Sequence, residues 1–286
     1  GCGAEIYWQE NETPQAIPCI STIDDLVKHT MPEWRSTLWG KKLGWFFEMK
    51  RLAEDVRVTL NGEQIPIQIS VGINADSPFM TAVDLIDSNF YTWILDAPAE
   101  CRAFLEKVAD RYIEVETEFR KISGRSQNDG LCYSDDSAQV ISQEQYRDMC
   151  VPVVPKHVIE PLTDRHDGRM MHMCGRNVHL HESLLNDLHI TQLTGYGSGN
   201  APEEMGVLAG KVLLHGNVDP MTLYQGTPND VERETDKILE ILAGSGGIIL
   251  GDGYNIVPGS PLSNLEAVRA TSTRFGIPAG KHRGRH

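Results

Sequence analysis

The chain has 286 residues, 40% hydrophobic and 23% charged, and its 26 Lys and Arg against 40 Asp and Glu give a formal charge of −14. That length allows a sizeable core, and the acid excess argues against a nucleic-acid partner or an anionic membrane surface, both of which need cations. No apolar run approaches the roughly 18 residues of a membrane span. The six cysteines, Cys2, Cys19, Cys101, Cys132, Cys150 and Cys174, are scattered with no CxxC, as reduced thiols in a cytoplasmic protein would be. The first residues are Gly1-Cys2-Gly3 rather than Met, so the expectation is a truncated N-terminus.

Along the chain, residues 1–62 form an irregular and helical front. Pro14 and Pro18 interrupt it, and helical patterns run over 23–29 and 35–54. From 63 to 276, short apolar runs alternate with segments of helical period, the signature of β/α units. The strands are predicted at 65–71, 130–134, 169–172, 190–194, 211–215 and 247–250. The clearest helix is 99–122, where Phe104, Leu105, Val108, Tyr112, Ile113, Val115 and Phe119 recur at the spacing of one buried face. Others are predicted at 143–165, 177–188, 227–242 and 261–275, with Ser142 and Thr227-Pro228 as start signals. Residues 277–286 are expected to be a disordered tail. With no long linker or repeat, a single α/β domain over 1–286 is expected, a TIM (β/α)8-type barrel lacking its first unit or units.

Chemistry in such a barrel sits at the C-terminal ends of the strands. Asp135 and Asp136, His172 and Cys174, His215 and Asn217, and Asp252 with Tyr254 all fall there. If 169–174 is extended, His172 and Cys174 face one way while Met171 and Met173 face the other. An imidazole and a thiolate then lie open to one zinc ion, although a tetrahedral site needs more than two ligands. The same residues also read as a buried Cys beside a hydrogen-bonded His. Asp135 and Asp136 fit either proton transfer or a capping pair, and only one of two neighbours on a strand edge can face the barrel axis. Asn217 lies in a tight turn and can also face the pocket. Gly195-Tyr196-Gly197-Ser198-Gly199-Asn200 is a loop able to close over a ligand. His179, His181 and His189 read as surface or satisfied core histidines.

In order and spacing, Tyr133-Ser134-Asp135-Asp136, His172-Met173-Cys174-Gly175, His215-Gly216-Asn217-Val218-Asp219-Pro220, the run 249–258 and Ser260-Pro261-Leu262-Ser263-Asn264 resemble the uroporphyrinogen decarboxylase superfamily over residues 4–276. The resemblance implies a TIM barrel and one of two chemistries, cofactor-free decarboxylation of uroporphyrinogen or zinc-dependent methyl transfer between a corrinoid and a thiol. His172-x-Cys174-Gly175 resembles the methyltransferase branch, where that His and Cys bind zinc with a Cys near the last strand. Tyr254 stands in the place of that Cys, which leaves Asp252 or His215 for the third position. The roles so implied are catalytic for Asp136, Asp135 and Tyr254, substrate-binding for Asn217, Arg176 and Tyr196, and metal-binding for His172, Cys174 and Asp252. The implied partners are a small-molecule thiol or tetrapyrrole and a corrinoid protein. For a decarboxylase, Arg125, Arg169 and Arg176 are the cations available to hold substrate carboxylates.

Overall fold

The computed structural model describes residues 1–276 apart from 11–12, 74, 129, 164–167, 197–198, 246 and 254. The chain divides into two compact units, 1–169 and 170–286. The expected tail at 277–286 lies outside the described residues.

The first unit opens with an antiparallel pair, β1 (Glu5–Tyr7) and β2 (Gln15–Ile17). Helix α1 (Ile23–Lys28) follows Thr22, whose side chain accepts from the Asp25 amide. The predicted 35–54 helix is a 3-10 turn at Trp34–Ser36 followed by α2 (Leu38–Ala53), because Thr37 adopts an extended conformation and caps the second piece. The predicted strand at 65–71 is displaced. β3 (Arg57–Leu60) and β4 (Glu63–Pro66) form an antiparallel hairpin instead, and the parallel strand is the short β5 (Ala75–Asp76). The cause lies in the turn. Asn61 and Gly62 both take positive φ, 51° and 84°, the two-residue connection that closes a hairpin and fixes which strand Ile65 pairs with.

Two helices that the sequence reading left unassigned come next, α3 (Pro78–Ile86), capped by Ser77, and α4 (Asn89–Asp96). The long α5 (Pro98–Ser123) matches its expected range and buries Phe104, Leu105, Val108, Tyr112, Val115 and Phe119. It ends at Gly124, whose φ of 74° is the left-handed stop that glycine supplies. β6 (Leu131–Ser134) runs parallel to β5. The predicted helix at 143–165 is broken into α6 (Gln143–Met149), a π-helical turn at Val154–Ile159 and α7 (Glu160–Leu162). Pro152 and Pro155 provide no amide proton for a continuous ladder.

The second unit contains a parallel run of β7 (Arg169–His172), β8 (Gln192–Thr194), β9 (Leu213–His215) and β10 (Ile248–Ile249). Parallel neighbours need crossovers. These include α8 (His181–Asn186), α9 (Pro220–Gln225) and α10 (Pro228–Leu242), and α11 (Leu262–Phe275) follows β10. Thr227 and Asp230 cap α10 reciprocally, which gives the predicted start its physical basis. In register, Met171, Leu193 and Leu214 form one row and all are buried. His172, Thr194 and His215 form the next row, on the opposite face of the pleat. Helices and parallel strands together make the chain α/β.

Candidate metal centre

His172 ends β7, and the Met173 amide still donates to Thr194 O at 3.0 Å, so the extended alternation continues one residue beyond the strand. Met171 and Met173 are accordingly buried, while His172 and Cys174 are half-buried on the other side. Nε2 of His172 and Sγ of Cys174 lie 3.0 Å apart. A tetrahedral zinc bound at ordinary lengths spreads a nitrogen and a sulfur to about 3.5 Å, a change that side-chain rotation accommodates. The pair therefore fits two ligands of one zinc ion. Gly175 follows with φ 73° and turns the chain away.

The ring of His172 rests against Gly195, which has φ 78°. A Cβ there would lie 2.3 Å from Cε1 and 2.8 Å from Nε2 of His172. Gly195→Ala is therefore expected to push the imidazole off Cys174 and lower bound metal at least 10-fold, read by zinc content after dialysis against a weak chelator. Metal retention equal to wild type would show that the ring position does not matter.

Among the described residues of 170–286, no third Asp, Glu, His or Cys ligand atom comes within 4.8 Å of both. His215 shares their row but stands two strands away, with Thr194 between, roughly 10 Å along the sheet. Burial lowers its pKa, and its Nε2 is buried with no hydrogen-bond partner among the described residues. Asp252 forms an isolated parallel bridge with Val218. Tyr254 lies outside the described residues.

The residues read as substrate contacts separate into two environments. Arg176 is exposed and holds Glu204 through two bonds of 2.9 and 2.6 Å. Asn217 is buried, donates through Nδ2 to Asn200 O at 3.1 Å and leaves Oδ1 without a partner among the described residues. Both line one pocket of about 360 Å³ with Asn200, Asp219, Glu234 and Lys237. Tyr196 is instead fully buried and packs beside Gly216, its hydroxyl unpartnered among the described residues. His181 is a core histidine, with burial pushing its pKa down to about 4.

In the first unit the two adjacent aspartates point to different surroundings. Asp135 is fully buried, accepting from Ser77 Oγ at 2.5 Å and from Tyr146 OH at 3.3 Å. Burial raises its pKa to about 7, outweighing the lowering effect of both hydrogen bonds. Asp136 is half-buried and begins a 3-10 turn at Asp136–Val140. Asp76, which ends β5, is raised to about 6 by burial, then by Asp84 and Asp136. Sequence reasoning passed over Asp76, Ser77 and Tyr146. The signal available was Asp76-Ser77-Pro78, a cap and a first-turn proline following a short extended stretch.

The uroporphyrinogen decarboxylase (URO-D) family profile matches residues 1–275. Relatives include the methylcobamide:CoM methyltransferase MtbA of Methanosarcina acetivorans, 26% identical over 136 residues, which are 46% of this chain and 37% of that protein. A uroporphyrinogen decarboxylase of Shewanella halifaxensis is 24% identical over 262 residues, 89% of this chain and 69% of the relative. The chain spans less than half the length of the MtbA relative. Among solved structures, a methyltransferase from Methanosarcina mazei superposes with a TM-score of 0.67 at 20% identity, covering 96% of this chain and 76% of that one. With a profile match along nearly all its length, the chain belongs to the uroporphyrinogen decarboxylase family.

Proposed function

We propose that the protein is an enzyme of the methyl-transferring kind, moving a methyl group between a corrinoid and a thiol with the help of zinc, on a TIM barrel. The observation that carries this reading is the approach of His172 Nε2 to Cys174 Sγ at 3.0 Å on one side of a strand end. Zinc held there would favour the thiolate of an acceptor thiol near neutral pH, the nucleophilic form. His172 and Cys174 would hold the ion, and Gly195 leaves room for the imidazole. A third protein ligand from Asp252 or His215 requires that loop or that ring to move toward the pair.

Asp135, its pKa raised by burial to about 7, and Asp136 take the acid and base roles, with Tyr254 as a third catalytic group. Asn217, Arg176 and Tyr196 serve the substrate side, and a corrinoid protein supplies the methyl group in the cytoplasm. The decarboxylase relative that matches 89% of the chain supports a second reading, decarboxylation of a tetrapyrrole polycarboxylate. In that case carboxyls with pKa values near 6 and 7, Asp76 and Asp135, are the groups suited to proton delivery.

The test is transfer from methylcobalamin to 2-mercaptoethanesulfonate by zinc-supplied protein. Wild type is expected to turn over, with His172→Ala and Cys174→Ser slowed at least 100-fold. Equal rates in all three would sink the zinc reading. Carbon dioxide release from uroporphyrinogen without methyl transfer would replace it with the decarboxylase.

A further inference from the structure

Behind His172 and Cys174 lie two buried amides, Asn177 and Asn200, to which the proposed chemistry gives no task. Asn177 is fully buried; its Nδ2 donates to Met173 O at 2.9 Å, and its Oδ1 accepts from His181 Nε2 at 2.8 Å. Asn200, also buried, accepts from the Asn177 backbone amide at 3.0 Å through Oδ1. Its Nδ2 donates to Gly175 O at 2.7 Å and to Tyr196 O. Asn217 Nδ2 then donates to Asn200 O at 3.1 Å. The carbonyls on either side of Cys174, Met173 O and Gly175 O, thus each receive a hydrogen bond from an asparagine side chain.

The chemistry of this arrangement requires asparagine. A loop beyond the end of a strand has no ladder to fix its carbonyls, and a buried carbonyl left unpaired is costly. An amide offers both a donor and an acceptor, so one side chain can tie together two segments. The orientations follow from the partners. Nδ2 of Asn200 faces two carbonyl oxygens while Oδ1 faces an N–H, and a flipped amide would set oxygen against oxygen. For Asn177 the same reasoning puts the proton of neutral His181 on Nε2. Water does not compete at these depths, so the network holds its geometry.

We propose that Asn177 and Asn200 are positioning residues that fix the 173–177 loop so that Cys174 Sγ stays beside His172 Nε2. The proposal rests on the metal-centre reading above. Both asparagines bond to the backbone that carries Cys174 and act through it.

Asn200→Asp keeps the shape and the acceptor but loses the donor to Gly175 O and Tyr196 O. Asn177→Asp does the same at Met173 O. The experiment loads wild type and both variants with zinc and follows release to a colorimetric chelator, with far-UV circular dichroism and urea unfolding as checks on the fold. Wild type is expected to hold one zinc, and each folded variant to release it about 10–100-fold faster. Folded variants that release at the wild-type rate overturn the positioning role. A wild type that binds no zinc overturns the metal-centre reading itself, which is a different failure. Hydrogen exchange on metal-free wild type is the second measurement and depends on no variant. The Asn177 amide, held by Asn200 Oδ1, is expected to be protected to within about 10-fold of the β8 amides, and exchange at open-loop rates overturns the proposal.

Discussion

Replacing Arg120 with Met is expected to cost roughly 3–5 kcal/mol of stability, because it breaks a buried ion pair and deprives buried backbone carbonyls of their donor. Arg120 is 1% exposed within the first unit. Its Nε bonds Glu116 Oε1 at 2.8 Å, and its remaining nitrogens donate to Leu162 O at 2.6 Å, Gly130 O at 2.5 Å and Gln127 O. Glu116 in turn accepts from the Ile73 amide at 3.0 Å and from Arg125 at 3.2 Å. One guanidinium therefore ties α5 to the segments entering β6 and ending α7. Urea unfolding at constant m is the measurement. The double variant Arg120→Met with Glu116→Gln should recover part of the loss, since it also removes a buried carboxylate that has lost its shortest ion pair. A loss below about 1 kcal/mol in the single variant would show that the pair does not hold these segments together.

The second large effect is a pH dependence centred on Asp135. Its folded pKa, near 7, lies above the ordinary carboxylate value of about 4, so between those limits the folded chain keeps a proton that the unfolded chain has released. Stability supplied by this group is accordingly full below pH 4, declines as pH rises, and is lost above pH 7. Three pKa units correspond to about 4 kcal/mol. Asp135→Asn cannot ionise, yet its side-chain carbonyl still accepts from Ser77. Relative to wild type, the variant should gain up to about 4 kcal/mol between pH 4 and pH 8. A difference between the two that stays constant with pH would contradict the account of Asp135 as a buried neutral acid.

Much of the fold could be read in the sequence where one local rule acted alone. The α5 stripe from Phe104 to Phe119 and the Thr227 cap of α10 determine their elements through periodicity and capping, and both lie where expected. The alternation around His172 and Cys174 likewise follows from strand geometry once 169–172 is extended. Other parts depended on competition between signals. Residues 65–71 carry a strand pattern, but Asn61-Gly62 recruits Ile65 into a hairpin, so the turn selects the partner. The helix expected at 143–165 is cut because two prolines outweigh a continuous apolar period. Within the site, residue types revealed the half-site but not its support. Asn177 and Asn200 bond to backbone groups brought together by the loops after β7 and β8, and no sequence spacing reveals such contacts.

X-ray absorption at the zinc edge, on protein loaded with one equivalent and freed of excess, decides whether His172 and Cys174 bind the ion. The expected coordination shell holds one sulfur at about 2.3 Å and imidazole nitrogen at about 2.0 Å. The sulfur is expected to vanish in Cys174→Ser and the imidazole signal to fall in His172→Ala. A wild-type shell of oxygen and nitrogen alone, unchanged by either substitution, would contradict binding by the pair.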